Sequence, residues 1–166
     1  MNNYNQFTPK GKIQNAPSNY IITNPLGSGL RVIVNFVSQL VKFDDVLDLT
    51  LGRVWRKVKE DYFLWGYDLR SFKLGNIKDT LVNSDIIVVN LLVKDKNNII
   101  DAVALESALV KLQKFVKLEK ASIHISNLLT KDVPALQDLV ERHCVNNGIN
   151  CYFYSIPAIK GERILI

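Results

Sequence analysis

One stretch constrains this chain more than any other: residues 85–94, DIIVVNLLVK, are apolar almost without interruption and rich in β-branched side chains. A strand wetted on one face alternates apolar and polar residues, whereas a continuous run belongs to a strand covered on both faces. Such a strand needs a helical layer on each side, and the chain supplies helices. After the loop KDKNN, residues 101–119 place Leu105, Ala108, Leu109, Leu112, Phe115 and Val116 at helical spacing. Burying each large member of that stripe contributes about 1.5–3 kcal/mol.

The same alternation extends in both directions. Residues 20–23 read as a short strand ended by Asn24-Pro25, and Gly27-Ser28-Gly29 turns the chain into residues 30–37, LRVIVNFV, a second buried strand. Asp44 or Asp45 caps a helix running to about Tyr62, with Val46, Leu49, Val54 and Val58 on its apolar face. Gly52 weakens the first half of that helix. Residues 71–77 read as a strand interrupted at Gly75, residues 121–126 as another, and residues 150–156 as the last. Between these, Asp132 caps a helix that carries Leu136, Leu139, Val140 and His143 and stops at Asn147-Gly148. The expected fold class is α/β, a three-layer α/β/α sandwich on a mixed central sheet. Its helix-linked second half should be parallel.

The 166 residues suffice for one core, and 19–166 form the expected domain. Residues 1–18 are dominated by Asn, Gln, Pro, Lys and Gly and hold too little apolar surface to offset the entropy of ordering. They are expected to be a flexible arm. Tyr4 and Phe7 lie about 10 Å apart in an extended chain, a spacing suited to anchoring a strap on a partner.

No segment approaches the ~20 apolar residues that span a bilayer, and the N-terminus has no leader-like stretch. With only Cys144 and Cys151, a disulfide framework is not expected, and a cytoplasmic location follows. Two histidines leave too few ligands for a structural zinc, and no cofactor is expected. The net charge of +5 admits an acidic partner or nucleic acid; the scattered lysines favour solubility, with nucleic-acid binding weak at best. Arg53, Arg56, Lys57 and Lys59, followed by Tyr62, Phe63, Trp65 and Tyr67, are either a solvated face or a hold for an acidic partner. Gly27-Ser28-Gly29 precedes a strand and lacks the Lys-Ser/Thr of a phosphate loop, so it is a turn. His124, between Ile123 and Ile125, reads as structural, and Cys144 as core. No serine sits in a nucleophile elbow, and a complete catalytic site is not found.

RVIVNFVSQ, the central strand, DAVALESALVKLQKF, ASIHISNLLTKDVPALQDLVERH and NCYFYSI, taken in that order, resemble a macrodomain over about residues 20–156. The resemblance implies an ADP-ribose-binding fold and, position by position, a ligand site at Asn24, Asn35, Ser38, Asp44 and Lys131. It also exposes departures. Asn24 stands where such domains carry an adenine-binding carboxylate, and Pro25 has no N–H to complete the recognition. Residues 42–47 and 126–132 lack the glycines through which backbone wraps a ribose and a diphosphate. Binding of ADP-ribose no tighter than roughly millimolar is therefore expected, about 4 kcal/mol. The sequence reads first as a non-catalytic macrodomain-like scaffold acting through a protein partner or self-assembly, with a place in a phage or virion-type particle as one setting. The alternative is an ADP-ribose-binding module or ADP-ribosyl hydrolase.

Overall fold

The structure, a computed structural model, describes residues 10–16, 21–22 and 25–155. Six strands form one sheet: β1 (Ile13–Ala16), β2 (Arg31–Ser38), β3 (Ile77–Leu81), β4 (Ile86–Lys94), β5 (Ser122–Ser126) and β6 (Cys151–Tyr154). Their order is β1-β6-β5-β2-β4-β3, parallel throughout except for β3, which runs antiparallel to β4 at one edge. Four helices join them: α1 (Val46–Val54), α2 (Arg56–Trp65), α3 (Ala102–Glu119) and α4 (Leu136–His143).

Strand alternation divides the core. Val32, Val34 and Phe36 of β2, with Val89 and Leu91 of β4, face α3 and α4 through Leu105, Leu109, Leu112, Leu136 and Val140. Ile33 and Val37, with Val88 and Leu92, face α1 and α2 through Leu47, Leu51, Val58, Tyr62 and Trp65. All eight residues from Ile86 to Val93 are buried, so the apolar run is an interior strand covered on both faces. The α/β/α sandwich and mixed sheet are as the sequence implied. α3 is capped by the Asp101 side chain on the Ala104 N–H at 2.9 Å and ends on Lys120 in the left-handed region. Among the described residues no helix is long and apolar enough to cross a membrane.

Five elements differ from expectation. Of the strand expected at 20–23, the described Ile21 and Ile22 lie buried in a turn; the first strand of the sheet is Ile13–Ala16, inside the stretch expected to be an arm. IQNA carries almost no apolar signal because β1 is an edge strand. It pairs with β6 through backbone, Ile13 opposite Cys151, and buries only Ala16 closely. Gly11 permits the approach, since a Cβ there would lie 1.9 Å from the Ile149 carbonyl oxygen. Tyr4 and Phe7 lie outside the described residues. The strand expected at 71–77 is a turn-rich connection, and the strand begins where the expectation ended, at Ile77. Gly75 sits at φ 92° and donates to the Leu92 carbonyl at 2.8 Å, a geometry that turns the chain onto the sheet edge.

The helix expected over 44–62 is two helices that meet at Trp55, with Gly52 inside the first; Leu49 points to solvent and Leu47 and Leu51 take the buried positions. Asp132 does not cap α4, which starts at Leu136, because Pro134 keeps Val133 out of helical backbone. β6 ends at Tyr154, short of the expected 156.

Candidate functional site

Strands β2, β4 and β5 are parallel neighbours and therefore end on the same side of the sheet. In open α/β sheets, ligands sit in the crevice beyond the carboxyl ends of such strands. Two adjoining cavities open there, of about 160 and 210 Å3. They share Phe36, Asp45 and Lys94 in their walls. The first also takes in Ser38, Asp44 and Asp48; the second takes in Asn35, Leu128, Leu129 and Asp132.

The floor is polar and buried. Asn35 of β2 lies in register with Asn90 of β4, and both side chains emerge on the α1–α2 face beside Ile33 and Val88. The Asn35 Nδ2 donates to Asn90 Oδ1 at 2.9 Å and to Asp48 Oδ1 at 2.7 Å. Asn35 is 1% exposed, Asn90 0% and Asp48 4%. The Asn90 Nδ2 is buried without a partner, the kind of orphan that marks a polar site rather than a packed core.

Asp48 reaches this floor from the first turn of α1. Asp45 caps the helix by accepting from the Asp48 N–H at 2.7 Å, and Asp48 Oδ2 accepts from the Asp45 N–H at 3.3 Å. Burial, with the negative charge of Asp45 adding to it, pushes the Asp48 carboxyl up to about 8, against the pull of the Asn35 hydrogen bond and of Lys94. Lys94 ends β4 with its side chain largely covered, its Nζ 3.9 Å from Asp45 Oδ2. Tyr62 of α2 is buried beside Ser38, which lines the first cavity. Its hydroxyl donates to the Ser38 carbonyl at 2.6 Å, and burial raises it to about 12.

The residues expected to bind ligand separate on this frame. Asn35, Ser38 and Asp44 come together at the cavities: Asn35 on the floor, Ser38 buried with its Oγ accepting from the Leu40 N–H at 3.2 Å, Asp44 exposed at the rim. Lys131 is exposed and lines neither cavity; its neighbour Asp132 does. Asn24 lies outside the described residues. Asp48 and Lys94 carry the site and were not singled out beforehand. The Asp-x-x-Asp spacing of 45 and 48 is capping-box spacing, which was legible, but the inward turn of Asp48 depends on the sheet beneath.

A second polar cluster lies on the same sheet face toward β6. His124 is fully buried, its ring nitrogens 2.7 Å from the Tyr154 hydroxyl and 2.8 Å from Ser122 Oγ, and it stacks on Tyr152 at 4.9 Å. Burial, then the charge of Arg31, lowers it to about 3, so it is a neutral, satisfied structural histidine. In the basic stretch on α1 and α2, Tyr62 and Trp65 are core, Tyr67 is exposed, Lys59 lies over the Phe63 ring at 5.9 Å and Arg56 pairs with Glu60 at 3.0 Å. Cys144 and Cys151 are buried free thiols.

No family model matches the sequence, and no curated protein matches it either. Solved structures do match. A macrodomain protein from Streptomyces coelicolor superposes with a TM-score of 0.80 at 19% identity, over 88% of this chain and 100% of that one. The macrodomain of Thermus aquaticus DarG gives 0.70 at 14% identity, over 89% and 99%. Thermosipho africanus DarTG, solved in complex with ADP-ribose, gives 0.65 at 11% identity, over 80% of this chain and 40% of that larger one. The fold is that of a macrodomain.

Proposed function

We propose that this chain binds an ADP-ribosyl group in the crevice beyond β2, β4 and β5. The observation that carries the reading is the floor of that crevice. A buried Asn35, both of whose amide hydrogens are engaged within the protein, lines a cavity beside Lys94, the cation common to both cavities. A sugar hydroxyl meets the Asn35 Oδ1, and Lys94 meets the negative charge of a phosphate. A structural relative solved with ADP-ribose supports the choice of ligand.

The glycine-free loops bear on affinity. Without a cradle of backbone N–H groups the diphosphate relies on Lys94 and Lys42, while Asp44, Asp45 and Asp132 lie around the same opening. The cavities together reach only the lower end of the ~300–1,000 Å3 that encloses a drug-sized ligand. The expected dissociation constant is about 1 mM or weaker, at most about 4 kcal/mol.

Titration of the 15N-labelled protein with ADP-ribose tests this. Saturable shifts confined to Asn35, Ser38, Lys94 and Ser126 are expected, and Lys94→Ala weakens them. Absence of saturation at about ten times the expected constant, or shifts elsewhere, refutes the reading in favour of a scaffold that works through protein contacts.

A further inference from the structure

A capping box needs nothing more of its fourth residue than a side chain that turns back to the first N–H, and an exposed Glu or Gln does that without desolvation. Asp48 does it from a buried position, 4% exposed, through the longer of its two contacts, 3.3 Å to the Asp45 N–H. Its shorter contact, 2.7 Å, goes down to the Asn35 amide. Burying a carboxyl is costly unless something is gained by it. What is gained here is the orientation of Asn35. A primary amide has two donor hydrogens and one acceptor oxygen. Both hydrogens of Asn35 are taken, by Asp48 Oδ1 and Asn90 Oδ1, leaving Oδ1 as the atom with which Asn35 can meet a ligand. Were Asp48 apolar, the amide could turn over and present hydrogens to the cavity instead.

We propose that Asp48 is the positioning residue of this crevice: it locks the Asn35 amide with its acceptor toward the cavity, so that the site takes its ligand through a hydroxyl donor such as a ribose hydroxyl. The proposal rests on the crevice being the binding site and adds to it the residue that sets its polarity. The groups facing the Asp48 carboxyl are Asn35 of β2, Asp45 ahead of α1, Lys94 at the end of β4 and Tyr62 of α2. Arg53 and Lys59 share a surface cavity with it. Of these, Asp45 opposes ionisation of Asp48 and Lys94 favours it.

The test follows the Asn35 side-chain amide by 15N NMR in the full chain, across the pH at which Asp48 titrates, near 8. In the wild type its two hydrogens are slow to exchange and their shifts move with a single midpoint in that region. In Asp48→Asn, which keeps an oxygen for Asn35 but cannot ionise, the midpoint disappears and ADP-ribose affinity stays within about threefold. In Asp48→Leu affinity falls about tenfold, the loss of one well-made hydrogen bond. An Asn35 amide that does not titrate, or Asp48→Leu binding ADP-ribose like the wild type, overturns the proposal. If Asp48→Leu does not fold, the amide titration and Asp48→Asn decide. If the wild type fails to bind ADP-ribose while Asn35 titrates with Asp48, the ADP-ribose reading falls and the positioning of Asn35 stands.

Discussion

Replacing Asp48 by Asn should change how stability depends on pH, and the size of the change follows from the site. In the unfolded chain an Asp carboxyl titrates near 3.8; in the fold, burial and Asp45 hold it at about 8. The native state therefore binds one proton more than the unfolded state between those values, and stability is lost as pH rises through the upper one. From pH 6.5 to 8.5 that linkage costs the wild type about 2 kcal/mol. His124 acts in the opposite direction over the same interval. It is neutral in the fold, and the unfolded imidazole sheds its last protonation there, returning a few tenths of a kcal/mol. That term is common to wild type and variant and cancels in the difference. Asp48→Asn keeps an oxygen for the Asn35 amide, gives up the 3.3 Å arm of the capping box, and has no charge to bury. Urea unfolding at the two pH values is the assay. The wild type should lose roughly 1.5 kcal/mol on going to the higher pH, and the variant should lose nothing. For a domain of this size the corresponding drop in Tm is about 3–6 °C. Parallel pH profiles for the two proteins would refute the reasoning, since they would mean that Asp48 ionises in the fold as freely as in the unfolded chain.

His124 offers a complementary test at lower pH: from 6.5 to 4.5 the unfolded imidazole gains a proton that the buried one does not, a loss of about 2 kcal/mol. Asp48 returns a similar amount over that range, so the wild type should be nearly flat in urea titrations while His124→Gln grows more stable toward acid; a flat variant would contradict the assignment. Removing residues 1–9, with Tyr4 and Phe7, should leave Tm within about 2 °C, because β1 begins at Ile13, and should weaken self-association measured by light scattering. A large drop in Tm, or unchanged association, would show that this segment is not an assembly strap.

The layered fold was written in the sequence wherever burial was two-sided. The run 85–94 has no polar face, so it can only be an interior strand, and the stripe from Leu105 to Val116 can only be a helix laid against it. Elements held by backbone pairing at an edge left no such mark. Ile13–Ala16 is a strand because β6 presents a free row of N–H and C=O groups, and Ile77–Leu81 is one because Gly75 delivers it to β4. The candidate site divides on the same line. Asn35 and Ser38 were named only through the macrodomain resemblance, which places polar positions at the end of the second strand. That Lys131 stays outside the two cavities while Asp132 enters, and that Asp48 turns inward under Asn35, were decided by tertiary structure. Each depends on where a distant segment lies: the loop after β5 beside the cavity that Asp132 lines, the first turn of α1 against the middle of the sheet. A carboxyl at a helix start has the same local sequence whether it faces water or an amide, and only the packing of α1 on β2 and β4 makes Asp48 part of a site.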